Sequence, residues 1–133
     1  MPNKTLSVLL VEDNILAQRV TKLILQEVGC TTHAVASGSE ALECLKEAFY
    51  DLVFLDFGLP DMNGLEFAEK FRAAHPEKAD IPIVIVSAYS DDTYREQAEA
   101  LGIREYIVKP ISKVTCEMMI RKFFPLNVYE VKT

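Results

Sequence analysis

Five short apolar runs, each with the length and composition of a β-strand, constrain this chain more than any other feature. They cover residues 6–11, 31–35, 52–55, 83–86 and 106–108. Four of the five lead directly into polar side chains, which are Glu12 with Asp13, Asp56, Ser87 and Lys109. Because the carboxyl ends of parallel strands meet at one edge of a sheet, we expect these side chains to lie together there.

Amphipathic helical patterns fill the spaces between the runs. In the first, five apolar residues fall on one helical face, which we interpret as the buried face. They are Leu16, Val20, Leu23, Ile24 and Val28. Ile15 falls off that stripe, so we expect it to be exposed, and Gly29 provides a stop. Ser112 is positioned to cap the last helix. The apolar residues of that helix are Val114, Met118 and Phe123.

The alternation of five strands with five helices predicts an α/β fold of (βα)5 type. We expect a flavodoxin-like three-layer sandwich, in which a parallel five-stranded sheet has the order 2-1-3-4-5. In that order strands 1 and 3 are neighbours, so Glu12 and Asp13 would converge with Asp56. Residues 1–126 are expected to form this single domain, and residues 127–133 form a tail that the pattern does not assign.

Charge and composition exclude several classes of function. The formal net charge is -6 and no basic stripe is visible, which argues against nucleic acid and anionic membranes as partners. No apolar stretch reaches the roughly 20 residues of a membrane span. The three cysteines, Cys30, Cys44 and Cys116, include no CxxC pair, so free thiols in a reducing cytoplasm are the simplest interpretation.

Three converging carboxylates repel one another unless a cation lies between them. Mg²⁺ or Mn²⁺ suits oxygen ligands of this kind. We therefore expect Asp13 and Asp56 to bind the ion directly and Glu12 to bind it through water. The backbone carbonyl of Phe57 is a candidate for a further ligand.

The same edge has the composition of a phosphoryl-transfer site. A carboxylate beside a metal and a lysine can attack phosphorus and form an aspartyl-phosphate. Asp56 is the expected acceptor because its strand is central. Lys109 would compensate the negative charge of the phosphoryl group, and Ser87 would donate a hydrogen bond to it. Each residue alone has an ordinary interpretation, as a turn, a cap or a surface lysine, so the hypothesis depends on their conjunction.

At this point the chain resembles the receiver domain of two-component response regulators. The matching stretches are VLLVEDN, DLVFLDFGLPDMNG, IPIVIVSA and YIVKP, at residues 8–14, 51–64, 81–88 and 106–110. The resemblance implies that Asp56 receives its phosphoryl group from a phosphohistidine. It also implies that Ser87 and Tyr106 form a switch pair and that the peptide bond before Pro110 is cis. The switch would alter the face made by the fourth helix, the fifth strand and the fifth helix.

The wording of GLPDMNGLE, VEDN and KPIS is most similar to receivers of hybrid sensor histidine kinases. This resemblance implies a histidine kinase or a histidine phosphotransfer domain as the partner. The first helix would dock through residues such as Ile15, Leu16 and Arg19. It also implies phosphorylation-dependent dimerisation as an option. The domain itself would be a phosphoacceptor, limited to self-catalysed phosphoryl transfer and slow autodephosphorylation, rather than an enzyme.

Three other interpretations compete with this one. A haloacid-dehalogenase-like phosphatase needs a second acid two residues after its nucleophile, where this chain has Gly58. A flavin binder needs a phosphate-binding loop after the first strand, where Glu12-Asp13-Asn14 would repel phosphate. A docking module that works without phosphorylation remains the main alternative, although every site position is filled. Gly58 and Tyr89 flank the site, and their effect on dephosphorylation is left open.

Overall fold

The computed structural model describes residues 5–88, 94–103 and 105–125. Its strands are β1 (Leu6–Val11), β2 (Cys30–Val35), β3 (Leu52–Asp56), β4 (Ile83–Ser87) and β5 (Glu105–Val108). Its helices are α1 (Ile15–Glu27), α2 (Gly38–Glu47), α3 (Gly64–Ala74), α4 (Arg95–Ala100) and α5 (Lys113–Phe123), with a short 3₁₀ helix at Pro76–Lys78. The strands are parallel and have the order β2-β1-β3-β4-β5, so the predicted flavodoxin-like fold is confirmed.

Strand β3 forms the centre of the molecule, and all five of its residues are buried. Val53 and Leu55 face a core shared with α2, α3 and α4, whereas Leu52 and Phe54 face a core shared with α1 and α5. Burial on both faces explains why this strand is a continuous apolar run rather than an alternating one. Helices cover both faces of the sheet, and the carboxyl ends of its parallel strands lie together along one edge.

Side-chain caps fix the points at which the helices begin. Asn14, Ser37, Asn63 and Ser112 each accept a hydrogen bond from the backbone N–H three residues further on. Such caps satisfy N–H groups that have no partner inside the helix. Gly29 has a φ of 99°, in the left-handed region, which supports the predicted stop after α1.

The buried face of α1 differs from the prediction. Leu16, Val20 and Leu23 are 72%, 47% and 62% exposed, so the prediction that these three residues belong to the core was wrong. Val28 is buried as predicted and Ile24 packs partly against the core, while α1 also buries Thr21 and Leu25, which the predicted stripe left out. Both stripes repeat at helical spacing. Because Thr21 is polar, the buried stripe is less apolar in sequence than the exposed one. Ile15 is exposed, as expected.

In α5 the buried residues are Cys116 and Ile120, and Phe123 packs partly against the core. Val114 and Met118 are exposed. Within the described residues, none of the helices has both the length and the apolar content to cross a bilayer. Tyr89 and the tail at residues 127–133 lie outside the described residues.

Two of the three leucines of α1, Leu23 and Leu25, provide a direct test of which face is buried. Leu25 is fully buried and Leu23 is mostly exposed. We expect Leu25→Ala to lower the free energy of unfolding by about 2–5 kcal/mol, because it removes core contacts and leaves a cavity. Leu23→Ala should change it by no more than about 0.5 kcal/mol. Urea unfolding of both variants measures the difference, and equal losses would contradict the assignment.

Candidate functional site

Three carboxylates meet at the carboxyl edge of the sheet. Glu12 and Asp13 follow β1, and Asp56 ends β3, its neighbour in the sheet. One oxygen from each side chain lies within 4.8 Å of the others. Glu12 is 4% exposed and Asp56 is 9% exposed, whereas Asp13 is open to solvent. The structure thus brings together the three acids that the sequence singles out, in a set of oxygen donors of the kind that binds a hard divalent cation.

Lys109 enters this cluster from the loop after β5. Its Nζ donates to Glu12 Oε1 at 2.9 Å and to Asp56 Oδ2 at 3.3 Å. The backbone N–H of Lys109 also donates to the carbonyl of Ser87 at 2.7 Å, which ties this loop to the end of β4. The following bond, Lys109–Pro110, is cis. The ammonium group is therefore held beside both buried carboxylates.

The pKa values in the cluster reflect carboxylates that lie close together and are shielded from water. Burial, together with the hydrogen bond between Glu12 and Asp56, raises the pKa of Glu12 above its usual value, and the lysine only partly opposes this. Burial alone would lower the pKa of Lys109, but its hydrogen bond to Glu12 and the charge of Asp56 outweigh that effect and raise it. Lys109 is therefore a permanent cation in a site that still carries excess negative charge.

The loop after Asp56 is held by its own backbone. The N–H of Gly58 donates to Asp56 Oδ1 at 3.3 Å, and the N–H of Phe57 donates to the carbonyl of Val86 at 3.0 Å. The carbonyl of Phe57 accepts a hydrogen bond of 3.1 Å from the N–H of Gly64, at the start of α3. Because a carbonyl oxygen has two lone pairs, this hydrogen bond is compatible with a second ligand on the same atom.

Ser87 and Tyr106 belong to β4 and β5, on the opposite side of Asp56 from β1. Ser87 ends β4, one residue beyond Val86, which pairs with Asp56 in the sheet. The hydroxyl of Tyr106 is buried and has no hydrogen-bond partner within the part of the chain that the structure describes. The guanidinium of Arg95 lies 5.3 Å from the centre of the Tyr106 ring. Burial raises the pKa of Tyr106, although the charge of Arg95 partly opposes the rise.

A groove beside the carboxylates was missed by the sequence analysis. Its volume is about 520 Å³, and it runs between α1 and the loop after β5. Apolar walls come from Leu16 and Val20 on one side and from Ile111 on the other, while Asp56 and Lys109 lie in its lining. The signal was present in the sequence, because α1 carries more apolar residues than one buried stripe needs.

Comparison with known proteins identifies close likenesses. The family model described as "Response regulator receiver domain" matches residues 8–121. The chain is 36% identical over 133 residues to "Aerobic respiration control sensor protein ArcB" of Escherichia coli K12. The match covers 100% of this chain and 17% of that protein. The chain is 32% identical over 129 residues to "Hybrid signal transduction histidine kinase L" of Dictyostelium discoideum, a match that covers 92% of this chain and 8% of that one.

A solved structure shares the fold. It is the receiver domain of sensor histidine kinase PA1611 from Pseudomonas aeruginosa PAO1, with a magnesium ion coordinated in its active site cleft. The sequence identity is 26% and the TM-score is 0.80, and the match covers 90% of this chain and 98% of that one. The chain therefore spans almost the whole of an excised domain but only a small share of the curated relatives described above.

Mg²⁺ should stabilise the folded protein, because a cation among Glu12, Asp13 and Asp56 relieves their repulsion and binds only the folded chain. A concentration 100-fold above Kd corresponds to a gain of about 2.7 kcal/mol in the free energy of unfolding. Thermal melts followed by circular dichroism, with millimolar Mg²⁺ and with a chelator, measure the gain. An unchanged midpoint at millimolar Mg²⁺ would count against a metal site.

The matched variant is Asp56→Asn, which keeps the shape of the side chain and removes one negative charge. In the presence of chelator we expect it to fold and to be at least as stable as the wild type. Its gain from Mg²⁺ should be smaller, because one direct ligand is neutral. If Asp56→Asn were markedly less stable than the wild type without Mg²⁺, Asp56 would be a structural residue rather than a crowded functional acid.

Proposed function

Because the chain belongs to the response regulator receiver domain family of two-component signalling proteins, we propose that Asp56 accepts a phosphoryl group from a phosphohistidine. The reaction requires Mg²⁺ or Mn²⁺. One observation carries the proposal, which is that Lys109 Nζ lies within 3.3 Å of Asp56 and 2.9 Å of Glu12. A fixed cation beside a buried carboxylate is what a phosphoryl acceptor needs, since this chemistry depends on positioning and charge neutralisation.

The metal ligands proposed are Asp13 and Asp56 directly and Glu12 through water. Their oxygens, within 4.8 Å of one another, fit a hard cation that keeps several waters of its own. When bound, the ion supplies positive charge opposite the oxygens of the phosphoryl group. A backbone carbonyl would complete the set. The carbonyl of Phe57 accepts one hydrogen bond and keeps a second lone pair, so it and the next carbonyl in the loop, that of Gly58, are both candidates.

The transfer step is an in-line displacement at phosphorus. A carboxylate oxygen of Asp56 forms the new P–O bond while the P–N bond to the donor imidazole breaks. The electron pair of that bond stays on the imidazole nitrogen, which can then take a proton from water. Lys109 offsets the negative charge on the phosphoryl oxygens, and the Ser87 hydroxyl donates to one of them. Slow attack by water on the same phosphorus breaks the P–O bond to Asp56 and releases inorganic phosphate, so the carboxylate is regenerated without a separate phosphatase.

The signal would leave the site through Ser87 and Tyr106. Movement of Ser87 toward the phosphoryl group frees space that the ring of Tyr106 can occupy. Within the described residues the buried hydroxyl of Tyr106 has no hydrogen-bond partner, which costs the present packing roughly 1–3 kcal/mol and reduces its advantage over a second one. Phosphorylation would then shift a population between two packings and change the face made by α4, β5 and α5. That face is also the proposed site of phosphorylation-dependent dimerisation.

The proposed partner is a histidine phosphotransfer domain or the histidine-bearing domain of a kinase, docked on α1. Ile15 and Leu16 offer exposed apolar surface, and Arg19 is exposed on the same helix. The groove beside α1 is lined by the apolar side chain of Leu16 and also by Asp56 and Lys109. A partner helix that covers the apolar surface would therefore bring its phosphohistidine to the acceptor.

The chain would act as the receiver portion of a hybrid sensor histidine kinase, or as a separate protein of the same type. The similarity to a hybrid kinase supports the first reading. A phosphohistidine is made from ATP, so the reaction belongs to the cytoplasm, where the three free cysteines stay reduced. The alternative function is docking without phosphorylation. It would use the same α1 surface, and the carboxylates would have no chemical role in it.

The proposed chemistry predicts that the protein phosphorylates itself from a small donor. Incubation with Mg²⁺ and acetyl phosphate should add the mass of one phosphoryl group to the intact protein, and Asp56→Ala should gain nothing. Mass spectrometry of both proteins is the measurement. If the wild type binds Mg²⁺ but gains no mass from acetyl phosphate or from a phosphorylated phosphotransfer domain, the docking alternative is favoured.

Lys109→Ala separates metal binding from phosphoryl transfer. It removes the fixed cation but none of the proposed metal ligands, so the Mg²⁺-dependent shift in the melting midpoint should persist. Its phosphorylation rate should fall by at least about 10-fold, the effect of losing roughly 1.4 kcal/mol of transition-state stabilisation. Quenched time courses against the wild type measure this ratio. Equal rates would show that the lysine is not part of the reaction.

A further inference from the structure

The loop after the acceptor is anchored to a helix that takes no part in the proposed chemistry. Asp61 lies in the loop at residues 57–63, and its carboxylate accepts three hydrogen bonds from the first turn of α2. Oδ1 accepts from the N–H of Gly38 at 3.0 Å, while Oδ2 accepts from the N–H of Ser39 at 2.9 Å and from its hydroxyl at 2.8 Å. The slight burial of Asp61 would raise its pKa, but these bonds outweigh it and lower the pKa.

An apolar contact supports the same attachment. Met62, the next residue, is buried in the core that α2 and α3 share. It lies so close to the backbone of Gly38 that a Cβ on Gly38 would come within 2.6 Å of its side chain. The loop is therefore held to α2 through a charged group and a buried side chain that are adjacent in the chain.

The anchor is not needed merely to cap α2. Ser37 is already the N-cap of that helix, and its hydroxyl accepts the N–H of Glu40. Asp61 binds the N–H groups of Gly38 and Ser39, which the cap does not use. A carboxylate at this end of a helix is also favoured by the helix dipole.

From Asp61 the loop leads back to the acceptor in a few steps. Gly58 and Asn63 form an antiparallel bridge across the loop, and the carbonyl of Phe57 is bonded to the N–H of Gly64. Gly58 then donates its N–H to Asp56 Oδ1. Asp61 is connected to these contacts through the chain, since Met62 and Asn63 follow it directly, so its attachment to α2 restrains the loop backbone that orients the acceptor carboxylate.

We propose that Asp61 is a positioning residue for the metal and phosphoryl site, which acts by anchoring the acceptor loop to the amino end of α2. The inference rests on the function proposed above, because the loop orients Asp56 and carries the candidate carbonyl ligand. Loss of a group that orients a metal ligand typically weakens metal binding by 10- to 100-fold. Since Asp61 acts through the loop rather than directly, we expect the lower end of that range.

The test compares Asp61→Ala with two other variants of the full chain. Glu40→Gln removes a charge from the same helix end without touching the loop, and Ser39→Ala removes one of the three hydrogen bonds. Mg²⁺ affinity is measured by calorimetry. Loop mobility is measured separately, in the presence of chelator, by hydrogen–deuterium exchange of the amides at residues 57–64. Thermal melts check that every variant is folded at the temperature used.

We expect Asp61→Ala to weaken Mg²⁺ binding by about 10-fold and to speed exchange of the loop amides, with Ser39→Ala intermediate and Glu40→Gln unchanged. Unchanged exchange in Asp61→Ala would overturn the anchor. Faster exchange with unchanged Mg²⁺ affinity would show that the anchor is structural only, and would overturn the positioning role. Absence of Mg²⁺ binding by the wild type would overturn the proposed function and this inference together, and that failure is visible without any variant.

Discussion

Mutual repulsion among three carboxylates is the constraint around which this molecule is organised. Two apolar strands, β1 and β3, lie side by side in the centre of the sheet, and each delivers acids to the same edge. Burial raises the pKa of Glu12, and Lys109 compensates only part of the charge. A fold that gathers like charges on buried strands gives up stability at that edge. Lys109 donates to Glu12 and Asp56, and the backbone N–H of Gly58 donates to Asp56, so these donors offset part of the negative charge.

The rest of the fold makes this arrangement rigid. Apolar cores pack against both faces of β3, the strand that ends in Asp56. The two loops that complete the site are each tied down elsewhere. The loop after β5 is bonded to the end of β4 through the carbonyl of Ser87, and the loop after β3 is bonded to α2 through Asp61. A site that stabilises developing charge requires its charged and polar groups to be held in place before the reaction.

The sequence predicted the strands, their order and the meeting of the acids because these depend on patterns that the chain displays directly. Apolar runs that end in polar residues are visible in a linear sequence, and parallel sheets have one carboxyl edge. The buried face of α1 was not predictable in the same way. Leu16 and Val20 repeat at the same period as Leu25 and Val28, and periodicity does not say which stripe faces inward. The hydrogen-bond partners of the Phe57 carbonyl and of Asp61 could not be predicted either. The first depends on the geometry of the loop, and the second on a contact between residues 22 positions apart in the chain.

The two stripes of α1 separate folding from the partner recognition that we propose for this helix. One stripe, with Leu25, belongs to the core, whereas the other, with Leu16 and Leu23, contributes almost nothing to it. Residues of the outer stripe can therefore vary without endangering the fold or the acids at the end of β1. A chain built this way can acquire a new signalling partner through changes on one helix surface, while its chemistry is inherited intact.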